Sequence, residues 1–358
     1  MRKLNIKTAK IQSMLNKVIR CAGNNKFNVL TNLIRVKLEN NVLSMTTTDV
    51  NNYFTVYSSE VSGDDLEFVV PVDTFSKLIS KTNVEDVRIS VADDVISITG
   101  NGTYKIPIQL DVSGEPINYP ECEINIAEDE GSLKISAVKN IILHNKNSLA
   151  VTDEKPCLRG YYIADGCVVS ADSYNICKND VPTFETVVLV SPVVFDLLSL
   201  CKEDEVSYKI ADNNILFESD SIKLFAHLMN GKDDYVEFYN VVKECAETEF
   251  ESNCALPKTA LLNALDRLSL FIKDNDINCI SMTFTKSGVK LETADYSAIE
   301  DIPYQSSENF NDFTCKIGVD HLKKQLSSIV GETVHIYYGN DRIVTIKQDN
   351  AIHMISLL

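Results

Sequence analysis

The chain has 358 residues, 44% of them hydrophobic and 24% charged, and a formal net charge of −17. That length suits two or three domains, and that composition can bury a core, which excludes disordered and collagen-like chains. No run approaches 18 apolar residues, so no membrane-spanning helix is expected. The basic residues of 1–7 have no apolar stretch behind them and read as no secretion signal, so the ten cysteines point to free thiols in a reducing cytoplasm.

Residues 7–20 set Ile11, Met14, Leu15, Val18 and Ile19 on one face at spacings of three and four, which predicts a helix. Residues 42–49 read as a strand ending in a turn at Asp49, and 53–57 alternate as a second strand. An apolar strand over 68–71 then leads into a short helix over 72–81, and 87–91 alternate up to the polar turn Asp93-Asp94. The same order recurs. Leu133, Ala137, Ile141 and Ile142 predict a helix over 132–144, followed by strand–turn 167–172, strand 174–177, strand 187–190, helix 192–202 and strand 206–210. In the third copy Pro257 opens a helix carrying Leu261, Leu262, Leu265, Leu268 and Phe271. Strand–turn 289–295, strand 296–299, strand 315–318, helix 319–328 and strand 334–338 follow. Asp49 to Asp172 is 123 residues, and Asp172 to Asp295 is 123 again. The chain therefore reads as three copies of one α+β unit, each two helices packed on antiparallel sheets. The expected domains are 1–118, 119–244 and 245–358, with Asn118-Tyr119-Pro120 and Lys243-Glu244 as linkers.

Charge separates by element. The windows 7–20, 72–81, 131–146, 192–202, 257–273 and 319–328 carry net charges of +4, +1, +3, 0, +2 and +1. They sum to +11, so the rest of a chain of net −17 carries −28. Helix propensity favours lysine and arginine, but it favours glutamate equally, and these windows contain none. The alternative is that the helices share a face that meets a polyanion while the acidic remainder keeps the protein soluble. Scattered cations without interleaved aromatics suit a phosphate backbone, bound without sequence preference and sensitive to salt. The candidate contacts are Lys10, Lys17, Arg20, Lys134, Lys139, Lys146 and Arg267, with Lys26 in the loop after the first helix.

No catalytic, metal or cofactor site emerges. Gly100-Asn101-Gly102 reads as a hairpin turn rather than a phosphate loop, and no Cys-x-x-Cys or histidine pair has metal-ligand spacing. Asp274-Asn275-Asp276 starts like a calcium loop but lacks the glycine and glutamate that complete one. Asp64-Asp65 and Asp233-Asp234 read as solvated turns.

Val29-Leu30-Thr31-Asn32-Leu33-Ile34, Leu43-Ser44-Met45-Thr46-Thr47-Thr48-Asp49, Val70-Pro71, Leu158-Arg159-Gly160 and the tail Met354-Ile355-Ser356-Leu357-Leu358, with the threefold repeat, resemble the bacterial DNA polymerase III beta subunit, or sliding clamp, along the whole chain. The resemblance implies a head-to-tail homodimer ring around duplex DNA, acting as a processivity factor for the replicative polymerase, with no catalysis and no cofactor. It implies a dimer contact through Tyr104, Ile106, Phe271 and Ile272, of which Phe271 and Ile272 read on their own as ordinary core. It implies a pocket for short peptide motifs of the polymerase, clamp loader and other proteins at Leu158, Ala171, Asp172, Ser173, Tyr174, Asn175, Ile176, Val241, Val242, Met354, Ile355, Ser356 and Leu357. The segments 171–176 and 354–358 depart from common members, which bears on the peptide preferred. The rival readings are a repeat-built scaffold that binds only proteins and does not encircle DNA, and a hydrolase with an unrecognised nucleophile.

Overall fold

Three aspartates build the turn on which the repeat is founded. Asp49 Oδ1 accepts the backbone N–H groups of Asn51 and Asn52 at 3.0 and 2.8 Å. Asp172 Oδ1 accepts those of Tyr174 and Asn175, each at 2.7 Å. Asp295 Oδ1 accepts the N–H and hydroxyl of Ser297 and the hydroxyl of Thr293. A short carboxylate bonding the backbone two residues on is the device that closes such turns, so the 123-residue spacing records a repeated hairpin.

The structure, a computed structural model, describes residues 2–358 except 24, 26, 93–94, 112, 116, 153–154, 251, 273–277 and 305–311. In chain order the first stretch is β1 (Arg2–Lys7), α1 (Thr8–Val18), β2 (Leu33–Glu39), β3 (Val42–Thr48), β4 (Asn52–Ser58), β5 (Val61–Gly63), β6 (Leu66–Pro71), α2 (Val72–Ser80), β7 (Asp86–Ala92), β8 (Val95–Thr99) and β9 (Thr103–Pro107). The second is β10 (Asp129–Lys134), α3 (Ile135–Asn145), β11 (Tyr161–Ala164), β12 (Cys167–Ala171), β13 (Asn175–Asn179), β14 (Val188–Val190), α4 (Pro192–Leu198), β15 (Glu205–Ala211), β16 (Asn214–Glu218), β17 (Ile222–His227) and α5 (Lys232–Ala246). The third is β18 (Ser252–Pro257), α6 (Lys258–Ser269), β19 (Cys279–Thr285), β20 (Gly288–Thr293), β21 (Ile299–Pro303), β22 (Phe313–Gly318), α7 (Val319–Ser327), β23 (Thr333–Tyr338), β24 (Ile343–Gln348) and β25 (Ala351–Ser356).

The chain divides into two compact units, 1–138 with 193–228 and 139–192 with 229–358. The first holds a five-stranded sheet, β5-β1-β7-β8-β9, and an eight-stranded sheet, β10-β15-β16-β17-β4-β3-β2-β6. Helix α1 buries Thr8, Ile11, Met14, Leu15 and Val18, each large apolar side chain contributing roughly 1.5–3 kcal/mol. Gln12 fixes α1 to the end of α2 by donating to the carbonyls of Ile79 and Thr82.

The second unit holds an eight-stranded sheet, β14-β11-β12-β13-β25-β24-β23-β18, and a four-stranded sheet, β21-β20-β19-β22. Leu261, Ala264, Leu265 and Leu268 of α6 join Met282, Phe284, Leu291, Leu322, Leu326 and Tyr338 in one apolar cluster. Phe284 and Tyr338 stack there at 4.0 Å between ring centroids.

Three sequence expectations are corrected. The window 131–146 is not helical from its start: residues up to Lys134 pair antiparallel with β15, Lys134 opposite Glu205, and the helix begins at Ile135. Lys243 and Glu244, read as a linker, lie near the end of α5, whose Tyr235, Tyr239 and Val242 bury one face at helical spacing. That helix carries Lys232 and Lys243 against Asp233, Asp234, Glu237 and Glu244, a net −2, so α5 is acidic. Tyr296 and Ser297, read as strand, occupy the turn set by Asp295, with Tyr296 at φ 58°, and β21 starts at Ile299. Asp93-Asp94 and Asp274-Asn275-Asp276 lie outside the described residues.

Candidate functional site

Leu158 stands on the short helical turn Pro156–Arg159 of the second unit, and Asp172 and Ser173 on the turn after β12. They line a cavity of about 340 Å³ with Ala150, Thr152, Lys155 and Phe238. Beneath them Leu158, Ala171, Val242 and Met354 share an apolar cluster with Tyr162, Tyr235 and Tyr239, and Ile176 and Phe238 pack on its margin. Tyr162 and Tyr235 stack in parallel at 4.5 Å.

Other expected pocket residues lie elsewhere. Alternation along β25 sends Met354 into this cluster and Ile355 into the cluster of α6 and α7. Leu357 packs on that second cluster too, and Val241 points outward at 49% exposure. Ser356 gives its backbone N–H to the Tyr174 carbonyl at 2.8 Å. Tyr174 is exposed and stacks on His321 at 4.1 Å. Buried Asn175 lies 3.1 Å from His321 Nδ1 and also donates to Asp172. Asp172 is thus largely engaged by its own turn, with Lys324 at 3.7 Å.

The cleft residues missed from sequence come chiefly from α5, and Tyr235, Phe238, Tyr239 and Val242 carry the periodic signal that could have found them. The helix is a fixed wall. Burying Tyr235, Tyr239 and Val242 contributes roughly 1.5–3 kcal/mol each, against about 1–3 kcal/mol for the buried Tyr235 hydroxyl, which has no partner among the described residues. Tyr239 also donates to Asp165 at 3.2 Å, and Lys243 pairs with Asp165 at 2.7 Å.

The cations expected to meet a polyanion differ in exposure and in setting. Arg20 and Lys139 are exposed, Lys146 is exposed on a short helical turn after α3, and Lys134 is exposed on β10 rather than on a helix. Lys10 pairs with Glu60 at 2.5 Å, pulling that carboxyl below its ordinary range, and Arg267 makes a two-pronged pair with Glu300. Lys17 donates to the Leu200 carbonyl at 2.8 Å, and burial lowers its pKa. Cations unopposed along the chain thus acquire partners in the fold. Lys26 lies outside the described residues.

The sheets end in two edges of a particular kind. In the first unit β4 pairs with β17, Asn52 opposite Ala226. In the second unit β13 pairs with β25, Asn175 opposite Ile355. By repeat position, the last strand of each opening three-stranded half joins the last strand of the next copy's closing half. The two strands left over, β21 of the third copy and β9 of the first, are both sheet edges. Exposed apolar residues sit at these strands and beside them: Tyr104 on β9 at 43%, Ile299 on β21 at 49%, and Leu270 and Phe271 after α6 at 80% and 52%. Ile106 is buried within its own unit, and Ile272 packs partly on the α6 cluster. An open apolar edge is a ready template for another strand.

No described helix is long and apolar enough to cross a membrane, and among the described residues no group of three His, Cys, Asp or Glu is placed to hold a metal. No family model and no curated protein matches the sequence. Solved structures do. A DNA polymerase sliding clamp from Bacillus subtilis is 15% identical with a TM-score of 0.84, over 100% of this chain and 99% of that one. A putative DNA polymerase III beta subunit from Eubacterium rectale is 19% identical with a TM-score of 0.80 and the same coverage. A Pseudomonas aeruginosa sliding clamp bound to griselimycin is 15% identical with a TM-score of 0.86, again over 100% and 99%. The chain has the α+β fold of these clamps from end to end.

Proposed function

We propose that this chain is a DNA polymerase processivity factor, a head-to-tail homodimer closed into a ring around duplex DNA. One observation carries the reading: two of three equivalent strand junctions form within the chain, and the strands of the third are open edges. A second copy supplies β9 to β21 and β21 to β9, and such a heterologous contact closes when its rotation does. The repeat supports a division into domains 1–118, 119–244 and 245–358, two copies giving six like domains. Transferring the register of the internal junctions sets Ile106 opposite Ala298, Lys105 opposite Ile299 and Tyr104 opposite Glu300 of the other copy. Leu270, Phe271 and Ile272 flank that seam.

Within the ring the exposed cations Arg20, Lys134 and Lys139 face phosphates. Lys10, Lys17 and Arg267, already partnered, contribute less. Contact is sequence-independent and screened by salt, so the topological link rather than affinity retains the DNA. The cleft at Leu158 takes peptide motifs of the replicative polymerase, the clamp loader and other partners. No residue is assigned a catalytic role, no cofactor is needed, and the work is cytoplasmic. Retention on nicked circular duplex DNA, lost when the circle is cut, tests the reading. Equal retention on linear DNA rules out a topological link, and failure to bind either form leaves the protein-only scaffold.

A further inference from the structure

The cleft of the second unit is small, and its shape restricts the ligand. Resting on the docking role proposed above, we infer that it accepts a short extended peptide with one bulky apolar side chain beside a carboxylate, and offers no second apolar anchor. The floor a second anchor would need is already covered: α5 lays Tyr235, Tyr239 and Val242 into the cluster of Leu158, Ala171 and Met354, leaving Ala171 and Met354 at 0% and 1% exposure. What stays open is the cavity of about 340 Å³ between Leu158 and Phe238, near the lower end of ligand pockets, roughly 300–1,000 Å³. Phe238 packs only at the margin of the cluster, so its ring limits the space without holding α5 in place.

The rim fixes the polar partner. Asp172 is occupied by the Tyr174 and Asn175 amides and the Asn175 side chain, so it offers a cation little. Lys155 lines the same cavity and is exposed, and Ser173 and Thr152 add hydroxyls. A carboxylate next to the apolar anchor meets that ammonium.

Dye-labelled pentapeptides measured by fluorescence anisotropy test this. One carries a single Leu beside an Asp, a second adds another Leu two positions on, and a third replaces the Asp by Asn. The single-Leu peptide binds, the second Leu changes affinity by less than about threefold, and loss of the carboxylate weakens binding about fivefold. In Phe238→Ala the second Leu gains about tenfold, with the far-ultraviolet circular dichroism of the wild type retained. Lys155→Ala removes the preference for Asp over Asn and serves as an independent check. A second Leu that tightens wild-type binding tenfold overturns the proposal, as does no binding by any of the three. Retention on circular DNA, measured on the same preparations, reports on the clamp reading separately.

Discussion

Substituting His353 should flatten the dependence of stability on pH below neutrality. His353 is fully buried on β25, where its Nδ1–H donates to Gln325 Oε1 at 2.9 Å. Its Nε2 is therefore bare and accepts from Nδ1 of buried His144 on α3 at 3.2 Å. Gln325 completes the chain by donating to Ser148 at 3.0 Å. Cys177 and Ile346 lie opposite His353 on the flanking strands, and at His144 burial outweighs the opposing pull of Asp349. A proton on His353 Nε2 would face the His144 N–H, and burial, then His144, depress its pKa to about 3. The unfolded residue protonates near 6.5, so this contribution is complete above that pH and lost as pH falls toward 3. From about pH 7 to about pH 5 the loss is about 2 kcal/mol. Urea denaturation of wild type and His353→Gln, followed by circular dichroism at both pH values, measures it. The variant is weaker at pH 7 yet loses about 2 kcal/mol less on acidification. Equal losses in the two proteins would refute the reasoning.

Arg20→Glu with Lys139→Glu leaves the dimer mass unchanged, lowers retention on nicked circular DNA about tenfold, and flattens the slope of log binding against log salt by about two. Leu265→Ala, at a fully buried position of α6, costs about 2–5 kcal/mol by thermal or urea denaturation. Asp172→Ala unseats the Tyr174 and Asn175 amides and costs about 1–2 kcal/mol, with single-Leu peptide binding weakened through the displaced Ser173 turn.

Local patterns were legible where local physics decides them. Asp49, Asp172 and Asp295 announced three copies because each closes its turn by itself, α1 and α6 followed from apolar spacing, and α2 and α7 from the recurring order of elements. The start of α3 was misread because Gly131 to Lys134 are held by pairing with β15, more than 70 residues away. The acidic surface of α5 drew attention to turns rather than to the periodic Tyr235, Tyr239 and Val242 beneath it. Charge read along the chain overstated the free cations, since Glu60 and Glu300 reach Lys10 and Arg267 only after folding. Of the residues expected at the pocket, Leu158, Val242 and Met354 share one apolar cluster and Asp172 lines the cavity beside Leu158, while strand alternation carries Ile355 away. Which edges stay open was not legible at all, because it depends on pairings between copies of the repeat.

Cross-linking at the third junction tests the central claim most directly. Opposed strand residues fall within disulfide reach, so Lys105→Cys combined with Ile299→Cys should oxidise to a covalently closed dimer. Its mass is twice 40.0 kDa, either single variant gives none, and the closed form, once on circular DNA, resists high salt until the circle is cut. A protein that stays at 40.0 kDa under oxidising conditions, or links equally well through either cysteine alone, contradicts it.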